Sequence, residues 1–459
     1  MAELDFLPDP ELLKPLTKTR KESIDLTSLT REELIDRVKT LEMHVQQLRN
    51  VIAKNDNSAL PKAKNKRNQR KFDFNKYKRR RILLRVSYFG WNYNGYASQD
   101  DSGKTIESEL FAALLQTKLV ESRKVSNYHR CGRTDKGVSG TGQVISLDVR
   151  TNLAVGEGVY EQEGYTGVDK ETESEIDYCT VLNRNLPDDI RVIGWTPAPR
   201  LDYSARFDCD GRSYKYVFPR GLVDIKRMEN AGQLLLGAHD FRNFCKMDVN
   251  NGVVKFVRRI DSVKVECVQR EDEGKDGPYD ICCLNISSKA FLWHQIRCVM
   301  AILLMVGEGL EEESVIPELL DVEKHPCRPA YGMASDIPLN LDSAHYDGIE
   351  WKCDPASTEL VLRTTQKLWT HHAVKAAMVR NLLKELEMNS GLNVTGQLDI
   401  LAGRRNEKIY TKLLQLPVCP SLEEKVRTVV KRRKIDISAE KGVEEITDHD
   451  EGESDKSNS

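Results

Sequence analysis

The chain has 459 residues, of which 31% are charged and 39% hydrophobic, and a formal net charge of −2. No run of 18 apolar residues and no signal-peptide pattern occurs, which predicts a soluble chain with neither a membrane span nor a secretory leader. Its 11 cysteines are scattered singly apart from Cys282-Cys283, and its nine histidines lack ligand spacing, so reduced cytosolic or nuclear thiols are expected and a structural zinc is not.

The small net charge hides a segregation. Residues 157–177 carry eight acids against Lys170, and residues 435–459 carry nine acids against two lysines, a net −7 in each segment. The remainder is therefore +12, and residues 62–81 alone hold eleven Lys/Arg against Asp73. A basic body with two acidic masks is expected to meet a polyanion.

Residues 1–29 lack periodicity and read as a flexible N-terminus. Thr30 opens a helix, with Glu33 completing a capping box. Leu34, Val38, Leu41, Val45, Leu48 and Ile52 follow at steps of four and three. That seam makes 30–54 either an amphipathic helix packed on its own domain or a coiled-coil-like helix that pairs with a second copy or a partner. Residues 55–81 form a basic linker or arm. There Phe72, Phe74 and Tyr77 interleave with Lys71, Lys76, Lys78 and Arg79–Arg81, a mixture suited to phosphates and stacked bases, although such runs also serve as solvated or targeting segments.

A folded core is expected from Ile82. Residues 82–88 read as a strand, and a helix follows from Thr105 with Ile106, Leu110, Ala113, Leu114 and Thr117 on one side. Ile145, Leu147 and Val149 alternate with Ser146 and Asp148 as a half-buried strand. The loop before it holds Gly132, Gly137, Gly140 and Gly142, so its backbone turns tightly or approaches a ligand closely. Asp135 sits there between Arg133 and Lys136. Neighbouring cations favour an ionised carboxylate, which serves either a surface salt bridge or an anionic base or nucleophile.

Residues 151–177 are polar and acidic and read as a disordered surface insertion. Residues 189–195 are expected to cross into a second half. Tyr214, Tyr216 and Phe218 alternate along a strand, with Tyr216 expected in the core and its hydroxyl satisfied. His239 lies in a loop and is read as structural. Residues 258–267 and 280–287 read as strands around an acidic tip at 270–277, and an apolar helix ends near Val306. A long helix is expected over 358–387. Residues 431–434, Lys-Arg-Arg-Lys, are a basic cluster that fits a nuclear-import signal, so nuclear and cytoplasmic residence is expected.

Cys131-Gly132-Arg133-Thr134-Asp135-Lys136-Gly137-Val138 resembles the catalytic loop of the TruA-type tRNA pseudouridine synthases. Three further stretches are similar to that family's motifs in order. They are the aromatic turn Gly90-Trp91-Asn92-Tyr93-Asn94-Gly95-Tyr96, the strand from Ala205 through Arg212-Ser213-Tyr214 to Phe218, and Phe291-Leu292-Trp293-His294-Gln295-Ile296-Arg297. Residues 410–414, ahead of Pro417 and Cys419, resemble the eukaryotic branch that acts at tRNA positions 38 and 39. The lead-in differs from the bacterial pattern by lacking an Ala between Cys131 and Gly132.

The resemblance implies an α+β fold of two ferredoxin-like halves, 82–200 and 201–347, sharing a mostly antiparallel sheet with a central catalytic cleft. A helical extension over 348–430 and a tail over 431–459 would follow. It implies Asp135 as the essential residue, Arg297 as the cation that pairs with it, and Tyr214 as the aromatic that stacks on the target base. Arg133 and Lys136 would hold substrate. Pro329–Met333 would line the pocket floor. The implied reaction isomerises uridine in tRNA. It consumes no oxidant and needs no cofactor or metal, and the target base must flip out of its stem. Whether Asp135 attacks the sugar or the base, or abstracts a sugar proton, is not decided by the sequence. Two other classes stay open: a non-catalytic tRNA-binding protein, and a metal-dependent nuclease, which would need several convergent carboxylates where only Asp135 is found.

Overall fold

The computed structural model describes residues 30, 72–98, 103–167, 174–249, 252–392, 394–402 and 410–431. The seam at 34–52, the cations at 62–71 and the acidic tail lie outside them. The described residues from Phe72 onward form one compact unit.

Strand β1 (Arg79–Tyr88) starts three residues before the expected Ile82. The reason is Arg81, which is fully buried. Its guanidinium meets Asp148 at 3.2 Å, the Ser146 hydroxyl at 3.0 Å and the Tyr203 carbonyl at 2.7 Å. A basic residue that reads as part of an arm is thus a core strut. Helix α1 (Ile106–Gln116) starts where expected, with Thr105 as its N-cap and Ser108 closing a capping box at the third position. Strands β2 (His129–Arg130) and β3 (Ser139–Arg150) bracket the glycine-rich loop.

The acidic insertion departs from the disorder expected of it. Strand β4 (Val159–Tyr160) pairs with β1 at Arg79 and Arg80. Glu161 meets Lys78 at 3.2 Å, and Glu175 meets Arg80 at 2.7 Å with side chains mostly buried. Two acids of the insertion thus pair with two cations of the arm. The expected stacking aromatics are also engaged: Phe72 lies flat on Tyr77 at 5.2 Å, and Arg150 covers both rings.

Helix α2 (Tyr178–Asn183) and strand β5 (Ile190–Pro197) complete the first half. Strand β6 (Gly211–Pro219), helix α3 (Ile225–Gln233), β7 (Gly237–Asp240), β8 (Val257–Gln269) and β9 (Ile281–Ser288) follow. Then come α4 (Gln295–Gly307), α5 (Val315–Leu320), β10 (Leu339–His345) and the long α6 (Pro355–Ser390). The ten strands form one sheet in the order β4-β1-β3-β10-β6-β9-β8-β7, with β2 on β3 and β5 on β1. Among the described strands every pairing is antiparallel except that of β3 with β10.

That parallel junction joins the two halves. Ser139 and Gly140 pair with Asn340 and Leu341 directly after the glycine-rich loop. The Asn340 amide locks it, accepting from Thr141 N at 3.0 Å and donating to Thr141 Oγ1 at 2.9 Å. One core packs Ile106, Leu110 and Leu182 on Ile82, Val86 and Leu147. Another packs Met228 and the apolar α4 on Tyr216, Phe218, Leu284 and Ile286. Two rigid layers therefore fix the loop from either side.

Candidate active site

The loop at 131–138 is held from the first half. The buried Gln143 side chain donates to Gly132 O at 2.9 Å. Thr134 shares a hydrogen bond with the buried Tyr88 hydroxyl at 2.8 Å, and its carbonyl accepts from Tyr96 N at 3.0 Å. Val138 N closes a turn onto Asp135 O at 3.1 Å. Gly137 has φ +80°, and a Cβ there would lie 2.5 Å from Asp336 Oδ2. Gly90, in the aromatic turn, passes so close that its Cβ would lie 1.9 Å from Val138 O. A side chain at Gly90 would have to push the loop backbone at Val138 aside, and one at Gly137 would be strained by its positive φ and would meet the Asp336 carboxylate.

The opposing wall is the start of α4. Trp293 Nε1 donates to Asp135 Oδ1 at 3.2 Å, and His294 Nε2 lies 3.2 Å from Oδ2. The two rings are stacked at 4.4 Å. His294 takes up a left-handed backbone conformation, φ +59°, as the N-cap of α4, and Leu292 N donates to Gln295 Oε1 at 2.8 Å beside it. This bend aims two consecutive side chains at one carboxylate. Burial opposes ionisation of Asp135, but the hydrogen bond and charge of His294, the Trp293 indole N–H and the charge of Arg297 outweigh it. The carboxyl is held below the usual carboxylate range.

Arg297 lines the same cavity as Asp135 but is placed differently from the expected ion pair. Its Nε donates to Ala334 O at 2.8 Å, and among the described residues the ion pair to Asp135 within 4.0 Å comes from His294. Arg297 acts on Asp135 through its charge. Tyr214, on β6, forms another wall. It is buried, and its ring meets Phe291 edge-on at 5.3 Å. Burial, reinforced by Cys131 and Tyr88, pushes its hydroxyl well above the ordinary tyrosine range.

These walls enclose a cavity of about 510 Å³ that also takes in Arg133, Lys136, Lys246 and Arg258. Arg133 and Lys136 are exposed at its edge. So Asp135, Tyr214, Arg297, Arg133 and Lys136 come together from segments far apart in the chain. Residues 329–333 are not among those lining the cavity: Tyr331 is buried in the core and donates to Asn243 O at 2.6 Å. Tyr216 is in the core as expected, but its buried hydroxyl has no hydrogen-bond partner among the described residues. His239 Nε2 donates to Leu236 O, 2.8 Å away, in a local turn. Trp293 and His294 were not singled out by the sequence reading. The available signal was their position directly before Gln295 and Arg297 in a motif that resembles a catalytic one.

Among the described residues, no group of three or more His, Cys, Asp or Glu is placed to hold a metal. The arrangement offers one anionic oxygen pair, a neutral phenol, cations at the rim and an apolar wall. That set suits attack on, or deprotonation of, a planar anionic substrate that carries phosphate.

The family model described as tRNA pseudouridine synthase matches residues 231–347. The chain is 40% identical over 430 residues to tRNA pseudouridine(38/39) synthase of Homo sapiens, covering 88% of this chain and 89% of that protein. It is 39% identical over 435 residues to the protein of that name from Bos taurus, covering 90% of each. The protein of that name from Saccharomyces cerevisiae is 36% identical over 425 residues, covering 88% of this chain and 91% of its own length.

Proposed function

The chain belongs to the TruA-type tRNA pseudouridine synthase family, and from that membership we propose that it isomerises the uridines at positions 38 and 39 of the tRNA anticodon stem-loop. The observation that carries the site assignment is the Asp135 carboxylate held between Trp293 and His294 in a cavity closed by Tyr214.

In this reading the target uridine leaves its stack, at a cost of a few kcal/mol, and enters the cavity. Asp135 supplies the negative charge that starts cleavage of the N1–C1′ bond. Its two oxygens are already oriented, and its ionisation is secured by His294 and Arg297. The detached ring turns and rejoins C1′ through C5. C5 loses a proton and N1 gains one, so the product is an isomer of the substrate. Tyr214 presents its ring face to the flipped base. Its hydroxyl stays protonated at neutral pH because burial holds the pKa up, so in the resting enzyme it can donate a hydrogen bond but is not a base. Arg133 and Lys136, at the rim, meet the phosphates on either side of the flipped nucleotide.

The fold reading that goes with this is two ferredoxin-like halves joined at the β3–β10 junction. The test is to incubate purified protein with a tRNA transcript carrying uridines at 38 and 39 in the presence of EDTA. Pseudouridine at those positions is expected. Retention of tRNA with no isomerisation would leave a binding protein, and cleavage only on adding metal would leave a nuclease.

A further inference from the structure

Behind the wall formed by Arg133, Tyr214 and Phe291 lies a second cavity of about 770 Å³, which shares those three residues with the first. Its lining carries no Asp or Glu. It does carry Lys124, Arg133, Arg206, Arg212 and Lys289, and none of these five makes an ion pair among the described residues. Glu107, fully buried, is shared by the lining residues Arg123, at 2.7 Å, and Arg130, so that corner also carries excess positive charge.

The groove also has an aromatic surface. Phe207 is 74% exposed, whereas every other described phenylalanine is buried or half-buried. Its ring rests edge-on against His129 at 6.2 Å. Arg212 braces the floor, donating to Cys131 O at 2.8 Å and to Lys289 O, while its charge stays uncompensated. A row of unpaired cations beside a bare aromatic ring suits a single-stranded nucleic acid. The cations track the phosphates, and the ring stacks on a base.

We propose that this groove is a second RNA subsite, which holds the phosphodiester backbone of the strand flanking the flipped nucleotide, with Phe207 stacking on a neighbouring unpaired base. The inference rests on the reading of the first cavity as the uridine site. The shared wall explains the coupling. A nucleotide that passes Arg133 into the first cavity leaves its neighbour facing Phe207. The groove thereby sets the register of the strand, and so which uridine reaches Asp135.

The test uses the full-length protein and a tRNA transcript. Arg206 and Phe207 are exposed at the surface, so Arg206→Ala, Lys289→Ala, their double variant, Phe207→Ala and Phe207→Trp leave the core untouched. Binding is measured across a salt series, and isomerisation under single turnover at saturating enzyme. For a single strand, each lost phosphate contact lowers the slope of log K against log salt by about 0.7, so the double variant is expected to lose about 1.4. Phe207→Ala is expected to bind roughly fivefold or more weakly with an unchanged slope, and Phe207→Trp to restore affinity. If the double variant keeps wild-type affinity and slope, no strand lies in the groove and the proposal falls. If the slope drops but Phe207→Ala is silent, the stacked base is refuted. Failure of the wild type to form pseudouridine would sink the reading of the first cavity instead, and the slopes would still decide whether RNA occupies the groove.

Discussion

His294 Nε2 stands 3.2 Å from Asp135 Oδ2, at the point where α4 starts with a left-handed residue. The contact joins the glycine-rich loop of one half of the sheet to the first helical turn of the other. The site therefore exists only when both halves are folded together.

Asp135→Asn is expected to abolish isomerisation while tRNA binding survives. The change keeps the side chain's size and its hydrogen bond to Trp293, but removes the negative charge. Single-turnover assays on enzyme free of host synthase, paired with a binding titration, decide it. Residual turnover above a few percent of wild type would mean the chemistry lies elsewhere.

The pH dependence follows from the direction of the Asp135 shift. Its folded pKa lies below the ordinary value, so the ionised form is present above the usual carboxylate range and is lost only as pH falls through the depressed value. His294→Gln weakens the largest of the favourable contributions. The acid limb of the rate should therefore move to higher pH, with little change at neutrality. A profile that moves to lower pH, or stays unchanged, would show that His294 does not hold the carboxylate.

Tyr214→Phe is expected to preserve binding and slow turnover, because the ring face and its edge contact with Phe291 remain while the hydroxyl is lost. Full activity of the phenylalanine variant would leave Tyr214 as a stacking platform alone.

The loop, its strand, the β8–β9 hairpin and the long α6 were legible because glycine spacing and apolar periodicity are local signals. The resemblance supplied Asp135, Tyr214 and Arg297. What was not legible depended on distant partners. Arg297 turns to Ala334 O because that carbonyl is within reach, while His294 takes the place beside Asp135. The insertion read as disordered for its low apolar content, yet carboxylates in its described part meet Lys78 and Arg80, which lie far away in sequence. No window centred on either segment contains that pairing.

Arg81 offers a test of that misreading. Arg81→Met leaves the Asp148 carboxylate buried without its cation and strands the Tyr203 carbonyl. Removing one partner of a buried pair costs about 3–5 kcal/mol, so the denaturation midpoint should fall markedly. Arg81→Met combined with Asp148→Leu should recover much of the loss. A single variant as stable as wild type would return Arg81 to the arm.

The basic arm itself now divides at Phe72. Arg79, Arg80 and Arg81 belong to β1, and Phe72 and Tyr77 are packed under Arg150. A chain cut to begin at Ile82 would lose buried struts and is expected to unfold, so it cannot report on RNA contact. A chain beginning at Phe72 keeps every described strand and still removes the six Lys/Arg of residues 62–71. If about four of those cations meet phosphates of the tRNA body, deleting them flattens the salt dependence of binding by about 3–4 units. The single-turnover rate at saturating enzyme should hardly change, because Asp135, Tyr214 and Arg297 are all retained. A linker or import signal makes the opposite forecast, with affinity and slope both unchanged. Binding of one tRNA transcript to the full chain and to the chain from Phe72, across the same salt series, separates the two; equal slopes would remove the arm from RNA recognition.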